Sequence, residues 1–396
     1  MINSLLELDY YKLTMGQFVW KLFPEVRVKY AFTNRTKDVK LGYLSYLLQE
    51  EIKRIQTLKF TETDILFLKM QNTFSDEYLD FLQNLKFPDV YVDTNIGGDL
   101  IIEIDALWKD SILWETIILG AVNELYYHHD MVVHSELKIG HDKLIEKIKL
   151  LKEYPELQFV DFGTRRAYSA QWHDHVLKVL LDEIPNQIAG TSNVFLAKKY
   201  GIKPIGSMAH EIFSAGARLF GDTDFDILRS HNQMFDMWFD MYGYPLSIAL
   251  TDTYGSDYTF RTFGEQRAKQ WKGMRQDSGD PFGFCKKQIK MYNTFGIDSK
   301  TKWFVPSDGL DVPKMIALWK EFHDKINILP AIGTNLTNDL VRKPISIVMK
   351  VVECNGQGCV KLSDNLNKAI SEHKEDVEKF KRIFDYTNTS SEPCIY

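Results

Sequence analysis

Cysteine is scarce in this chain, with four residues in 396, at positions 285, 354, 359 and 394. Their irregular spacing excludes a disulfide framework, and reduced thiols are the expectation. No histidine lies near Cys354 and Cys359, which argues against a zinc site. Long apolar runs are missing too. The best stretch, around Ile112 to Ala121, is broken by Glu115 and falls short of the ~18 residues a membrane span needs. The start, Met1 to Asp9, is acidic and has no basic region, so no secretory leader and a cytoplasmic location are expected. Nor is there an excess of positive charge. Lys+Arg 48 against Asp+Glu 54 gives −6, which argues against a nucleic-acid binder. Internal repeats, low-complexity tracts and long Pro/Gly linkers are all absent.

What is present is enough chain for a large core and two domains. Leu5 to Leu22 has helical spacing and stops before Pro24. Val26 to Phe32 alternates as a half-buried strand does. Helices follow near 41–56, 62–70 and 76–85, the last two led by the N-cap residues Thr61 and Ser75. Val90 to Val92 and Leu100 to Ile104 read as a hairpin around Asn95-Ile96-Gly97-Gly98-Asp99.

From about residue 155 short β-rich runs alternate with helical ones, such as Ala167 to Leu181, Val194 to Tyr200 and Val312 to His323. Each β run ends in a polar or glycine-containing cluster. The clusters start at Asp161, Gly190, Ser207, Thr251, Arg275, Ser307 and Gly333. Repeated strand–loop–helix units imply a parallel sheet, and polar loops at every strand end imply a (β/α) barrel with its site on that face. An open doubly wound sheet would gather such residues at one switch point. Past Pro344, Ile345 to Val352 and Val360 to Leu362 read as a final hairpin. Glu372 to Arg382 mixes both signs of charge and reads as a solvated helix face.

The densest chemistry is Gly273-Met274-Arg275-Gln276-Asp277-Ser278-Gly279-Asp280. Folding alone does not ask for that mixture in one turn, because unpaired charge out of water is costly. A metal–phosphate or phosphate–sugar site does: glycines admit backbone N–H groups to an anion, Asp holds a cation or sugar hydroxyls, and Arg forks onto a carboxylate or phosphate. His210 next to Glu211 suggests an imidazole poised by a carboxylate. Asp308-Gly309 and Gly333-Thr334-Asn335 could cradle a phosphate, although plain turn chemistry explains each separately. The pair His128-His129 and the spacing His173-x-His175 look like metal ligands only superficially, since residues two apart on a helix point apart.

Taken in order, Asp9-Tyr10-Tyr11-Lys12, Thr33-Asn34-Arg35-Thr36, Asp161-Phe162-Gly163-Thr164-Arg165-Arg166, Gly190-Thr191-Ser192-Asn193, Ser207-Met208-Ala209-His210-Glu211, Thr251-Asp252-Thr253-Tyr254 and the 275–280 stretch resemble nicotinate phosphoribosyltransferase of the bacterial type. The resemblance runs from residue 5 to about residue 340. It implies an α/β fold: an irregular, incomplete (β/α) barrel, here residues 126–344, with a second α/β domain built from both chain ends, 1–125 and 345–396. It implies synthesis of nicotinate mononucleotide and pyrophosphate from nicotinate and phosphoribosyl pyrophosphate, coupled to ATP hydrolysis, with Mg²⁺ and a homodimer with shared sites.

On that resemblance His210 becomes a phosphohistidine helped by Glu211. Asp252 and Asp277 hold Mg²⁺ and the ribose–pyrophosphate side. Asp308, Gly309, Gly333 and Thr334 seat the 5-phosphate, and Arg35 reaches the pyrophosphate from the partner subunit. Phe162 stacks on nicotinate, Tyr11 of the other subunit covers its opposite face, and Arg275 or Arg165 pairs with its carboxylate. Ser192 separates this family from the nicotinamide enzyme, which carries an Asp at the matching place. A catalytically silent nucleotide-binding protein on the same fold is the alternative from another class.

Overall fold

The structure, a computed structural model, describes residues 1–128, 133–369, 371 and 374–387. His129, Cys394 and residues 372–373 of the charged C-terminal stretch lie outside the described residues. The described residues form two compact units, one within 1–206 and 332–350, the other within 207–331 and 351–387. Among the described residues no helix is long and apolar enough to cross a membrane.

The first unit opens with α1 (Tyr10–Leu22), then β1 (Arg27–Asn34), β2 (Tyr91–Thr94) and β3 (Leu100–Leu107), with three short helices before β2. The helix expected from Leu5 starts only at Tyr10. Tertiary partners take the backbone before it: Leu6 and Leu8 carbonyls accept from Phe195 and Val194 N–H, and Tyr10 N–H donates to the Ser192 carbonyl. β1 pairs antiparallel with β3, Val28 facing Ala106 and Tyr30 facing Ile104, and these alternate positions are buried. The expected 95–99 turn closes with Gly98 N–H donating to the Asn95 carbonyl.

Next come α2 (Trp114–His128), β4 (Phe159–Asp161), α3 (Ala170–Glu183), β5 (Ile188–Thr191) and α4 (Val194–Tyr200). β4 and β5 are parallel, as the strand–loop–helix rhythm predicts. Burial of Trp108, Trp114, Phe18 and Ile117 anchors this unit.

The second unit holds α5 (His210–Gly216), α6 (Asp224–Tyr242), β6 (Ile248–Leu250), β7 (Gly273–Gln276), α7 (Pro281–Thr294), β8 (Trp303–Pro306), α8 (Val312–Phe322) and β9 (Asn327–Ile328). These four strands form one parallel sheet in the order β6-β7-β8-β9. Trp238, Trp271, Phe235, Phe263, Met274 and Phe304 fill its core. β10 (Ala331–Ile332) lies beside β4 in the other parallel sheet, whose order is β10-β4-β5. The parallel strands thus fall into two sheets, an α/β fold with the irregular arrangement the resemblance implies.

The last strands are β11 (Ile347–Cys354) and β12 (Gln357–Gly358). The final hairpin is tighter than expected. Asn355 and Gly356 both take positive φ, so the partner strand begins at once, and Cys354 faces Gln357. The pairing runs on to Cys359, whose N–H donates to the Val352 carbonyl, and beyond it Leu362 N–H donates to the Thr253 carbonyl.

Candidate active site

Three loops at the C-terminal ends of β6, β7 and β8 meet the start of α5 in the second unit. His210, the first residue of α5, is 5% exposed. Its Nδ1 lies 3.0 Å from Thr253 Oγ1, and its Nε2 lies 3.0 Å from Asp277 Oδ2 and 3.5 Å from Asp252 Oδ1. Burial, with help from the Lys361 charge, pushes its pKa down to about 4 against the pull of Asp252 and Asp277. The ring is therefore neutral near pH 7. Its partners assign Nε2–H as donor to Asp277 and Nδ1 as acceptor from the Thr253 hydroxyl. The carboxylates that meet this ring come from distant loops, rather than from the adjacent Glu211. Glu211, the next residue of α5, is buried as well.

Asp277 stays ionised. Burial opposes its charge, but the His210 N–H and the charges of Arg275 and Lys361 hold its pKa well below the usual carboxylate range. Ser307 Oγ donates to its other oxygen at 2.9 Å. Asp252 is fully buried; Oδ2 accepts from Ser278 Oγ at 2.5 Å, while Oδ1 has no hydrogen-bond partner among the described residues. Arg275 is buried as well, its Nη1 donating to the Met208 carbonyl at 3.2 Å and its Nε without a hydrogen-bond partner among the described residues. Buried orphans of this kind cost free energy unless a ligand satisfies them. Ligand atoms of His210, Asp252 and Asp277 all lie within 4.8 Å of one another, and the two carboxylates are the oxygen donors that fit a hard divalent cation.

Asp308 does not present a bare phosphate loop. Its carboxylate is ion-paired with Lys368 Nζ, which also reaches the Asp277 carbonyl at 3.4 Å. Gly309 follows with φ +54°, in the left-handed region. Reasoning from sequence misses Lys361, Ser363 and Lys368. Val360 to Leu362 reads only as a strand of the last hairpin and the residues after it carry no period, so only the fold brings this segment to these loops.

The first unit gathers a second cluster. The Arg165 guanidinium donates to Asp9 Oδ2 at 3.0 Å and lies 5.7 Å from the centre of the Tyr11 ring. Burial opposes its charge, yet Tyr11, Asp9 and Glu115 raise its pKa further above the usual range. Ser192 Oγ donates to Asp9 Oδ1 at 2.5 Å and lies 2.9 Å from Thr164 Oγ1. Beneath them Glu115 binds Lys12 Nζ at 2.6 Å and Lys350 Nζ at 2.9 Å. Asp9 is the residue that sequence reasoning undervalues; it opens a motif, yet nothing local to it signals a role. Tyr11 is 4% exposed and packs within its own chain.

Phe162 is half-buried, its N–H donating to the Ile332 carbonyl. Gly333 lies so close that a Cβ there would come within 2.9 Å of the Phe162 carbonyl oxygen. Thr334 opens the four-residue helix Thr334–Thr337. Arg35 follows β1 and is half-buried, its N–H donating to the Ser346 carbonyl. His173 pairs with Asp161 at 2.6 Å, whereas His175 meets His141 at 3.1 Å, so these two histidines do face different partners.

Parallel strands whose C-terminal loops deliver carboxylates, cations and a buried neutral imidazole define an α/β protein with a charged, largely buried cluster at its strand ends. Comparison with known proteins narrows the class. Residues 157–388 match the nicotinate phosphoribosyltransferase family, and residues 6–123 match its N-terminal domain. The nicotinate phosphoribosyltransferase of Burkholderia mallei is 37% identical, with 98% of this chain and 97% of the relative covered. That of Ralstonia pickettii is 36% identical, with 97% and 99% covered. The crystal structure of the Vibrio cholerae nicotinate phosphoribosyltransferase superposes with a TM-score of 0.91 at 32% identity, covering 98% of this chain and 94% of that one. The chain belongs to the nicotinate phosphoribosyltransferase family.

Proposed function

We propose that this chain makes nicotinate mononucleotide and pyrophosphate from nicotinate and phosphoribosyl pyrophosphate, in NAD biosynthesis and salvage, and couples the reaction to ATP hydrolysis through His210. The pyridine nitrogen lone pair forms the bond to ribose C1 as the C1–oxygen bond breaks, its electrons leaving on pyrophosphate. Asp252 and Asp277 stabilise the positive charge that develops on the sugar. Arg275 and the nearby lysines balance the charge that leaves.

The observation that carries the coupling is the buried, neutral imidazole of His210 between Thr253 and two carboxylates. A neutral ring needs no deprotonation before it attacks the terminal phosphorus of ATP, expelling ADP; water later takes the phosphoryl group as free phosphate. Asp252 and Asp277, with His210 beside them, would hold Mg²⁺. When bound, the ion neutralises phosphate oxygens. Asp9 supports Arg165 and Ser192 in the role of recognising nicotinate, with Phe162 and Tyr11 as ring faces. A homodimer is part of the proposal, and sedimentation velocity tests it directly.

The test of the whole reading is one assay: labelled nicotinate or nicotinamide with phosphoribosyl pyrophosphate and Mg²⁺, with and without ATP. Nicotinate mononucleotide that forms faster with ATP supports the reading. Turnover of nicotinamide alone, or binding without turnover, defeats it.

A further inference from the structure

The Asp252 carboxylate is held by one oxygen and offered by the other. Oδ2 accepts from Ser278 Oγ at 2.5 Å, and Oδ1, which faces His210 Nε2 at 3.5 Å, has no hydrogen-bond partner among the described residues. Ser278 is 2% exposed, belongs to the loop after β7, and has a single proton to give. The direction of that proton is fixed from behind: the Asp364 N–H donates to Ser278 Oγ at 2.9 Å, so the hydroxyl proton goes to Asp252.

Asp364 is itself tied down on the Asp252 loop. Its Oδ1 accepts from Ser256 N–H at 2.7 Å, and two residues earlier Leu362 N–H donates to the Thr253 carbonyl at 2.8 Å. Ser363 between them takes φ +69°, a conformation that costs a non-glycine residue, and Tyr386 Oη donates to its carbonyl at 2.6 Å. Gly279, after Ser278, has φ +74°, and a Cβ placed there would lie 3.4 Å from Asp364 Cβ, so the loop and the strap approach closely. Ser363 Oγ lies 3.5 Å from the same Asp252 oxygen that Ser278 holds, so loop and strap together fix which of the two oxygens points toward His210.

We infer that Ser278, locked by the C-terminal strap Leu362–Asp364, is the positioning residue that aims Asp252 Oδ1 into the reaction cluster. The inference rests on the proposed reaction only for its kinetic readout. The physical reason is that a carboxylate free to rotate presents either oxygen, whereas one anchored oxygen leaves the other preorganised.

A double-mutant cycle tests it, with Ser278→Ala, Ser278→Thr, Asp252→Asn and the double variant Ser278→Ala/Asp252→Asn in the full chain. Two quantities are measured: kcat at saturating substrates, and retention of Mn²⁺ by the resting protein from the paramagnetic resonance signal of the free ion. Ser278→Ala should lower kcat about tenfold or more, the weight of one hydrogen bond to a charged group, with KM for nicotinate nearly unchanged. Ser278→Thr, which keeps the hydroxyl, should restore most of it. In the Asp252→Asn background the same change should cost almost nothing in kcat, because the charged oxygen that Ser278 aims is already gone even though an amide oxygen can still accept its hydrogen bond. Equal losses in both backgrounds, or no loss in either, would overturn the inference. If the wild type proves inactive toward nicotinate, the proposed reaction fails; the Mn²⁺ cycle then decides the positioning by the same non-additivity, its absence counting against Ser278.

Discussion

His210 Nε2 stands 3.0 Å from Asp277 Oδ2, across 67 residues of sequence. The contact joins the two motifs that looked most chemical in the sequence, and the buried setting keeps the imidazole neutral while the carboxylate stays charged.

For His210 the expected outcome is a split phenotype. His210→Ala should abolish nicotinate-stimulated ATP hydrolysis and leave a weak ATP-independent transferase. Because its pKa is pushed down to about 4, phosphoryl transfer to His210 should stay level from pH 8 to about 5 and fall only nearer pH 4. An acid limb centred near 6.5 would mean that the ring is not buried as described. Trapping of acid-labile, base-stable phosphoprotein checks the acceptor.

Asp277→Asn keeps size and hydrogen-bonding capacity and removes one charge. A drop in kcat of about 10²-fold or more is expected, with a modest change in melting temperature. Near-normal turnover in a strongly destabilised protein would instead make the carboxylate a structural element of the turn.

Ser192 lies against Asp9, so Ser192→Asp would bury a second carboxylate where Ser192 Oγ now donates to the first at 2.5 Å. Like charges brought together out of water cost several kcal/mol. Nicotinate kcat/KM should fall about tenfold or more relative to nicotinamide, since the new charge competes for Arg165. Parallel assays on the two bases give the ratio; an unchanged ratio would show that Ser192 does not govern base choice.

His231 gives a test of stability away from the chemistry. It is fully buried, edge-on to Phe235 at 4.9 Å and to Tyr258 at 5.3 Å, and burial pushes its pKa down to about 3. The unfolded chain binds a proton near pH 6.5 and the folded one does not. Stability is therefore untouched above pH 6.5 and lost as pH falls from there toward 3, by about 1.4 kcal/mol per unit. His231→Phe should narrow the gap between urea midpoints at pH 7 and pH 4.5. An equal gap in the variant would mean that the proton is taken up elsewhere.

Much of this was legible in the residues. Alternation in Val28 to Phe32, the caps Thr61 and Ser75, and the recurring strand–loop–helix rhythm are local signals, written within a few residues of each other. They determined the α/β class and identified the loops that end each strand. The loops' composition also pointed to His210, Arg275 and Asp277 as chemical residues, and the family resemblance added Asp252. What the sequence could not decide was partnership. Glu211 is His210's neighbour in the chain, but helix α5 carries the two side chains in different directions, and the carboxylates that meet the ring arrive from β6 and β7. Leu5 to Asp9 has a helix's spacing and no helix, because strands and loops far away claim its backbone. The strap around Asp364 has no periodicity to read, and its place is set by hydrogen bonds spanning 86 and 108 residues. Local pattern determined which elements form. Only tertiary structure, where burial shifts protonation and distant groups become neighbours, decided which of these residues act on one another.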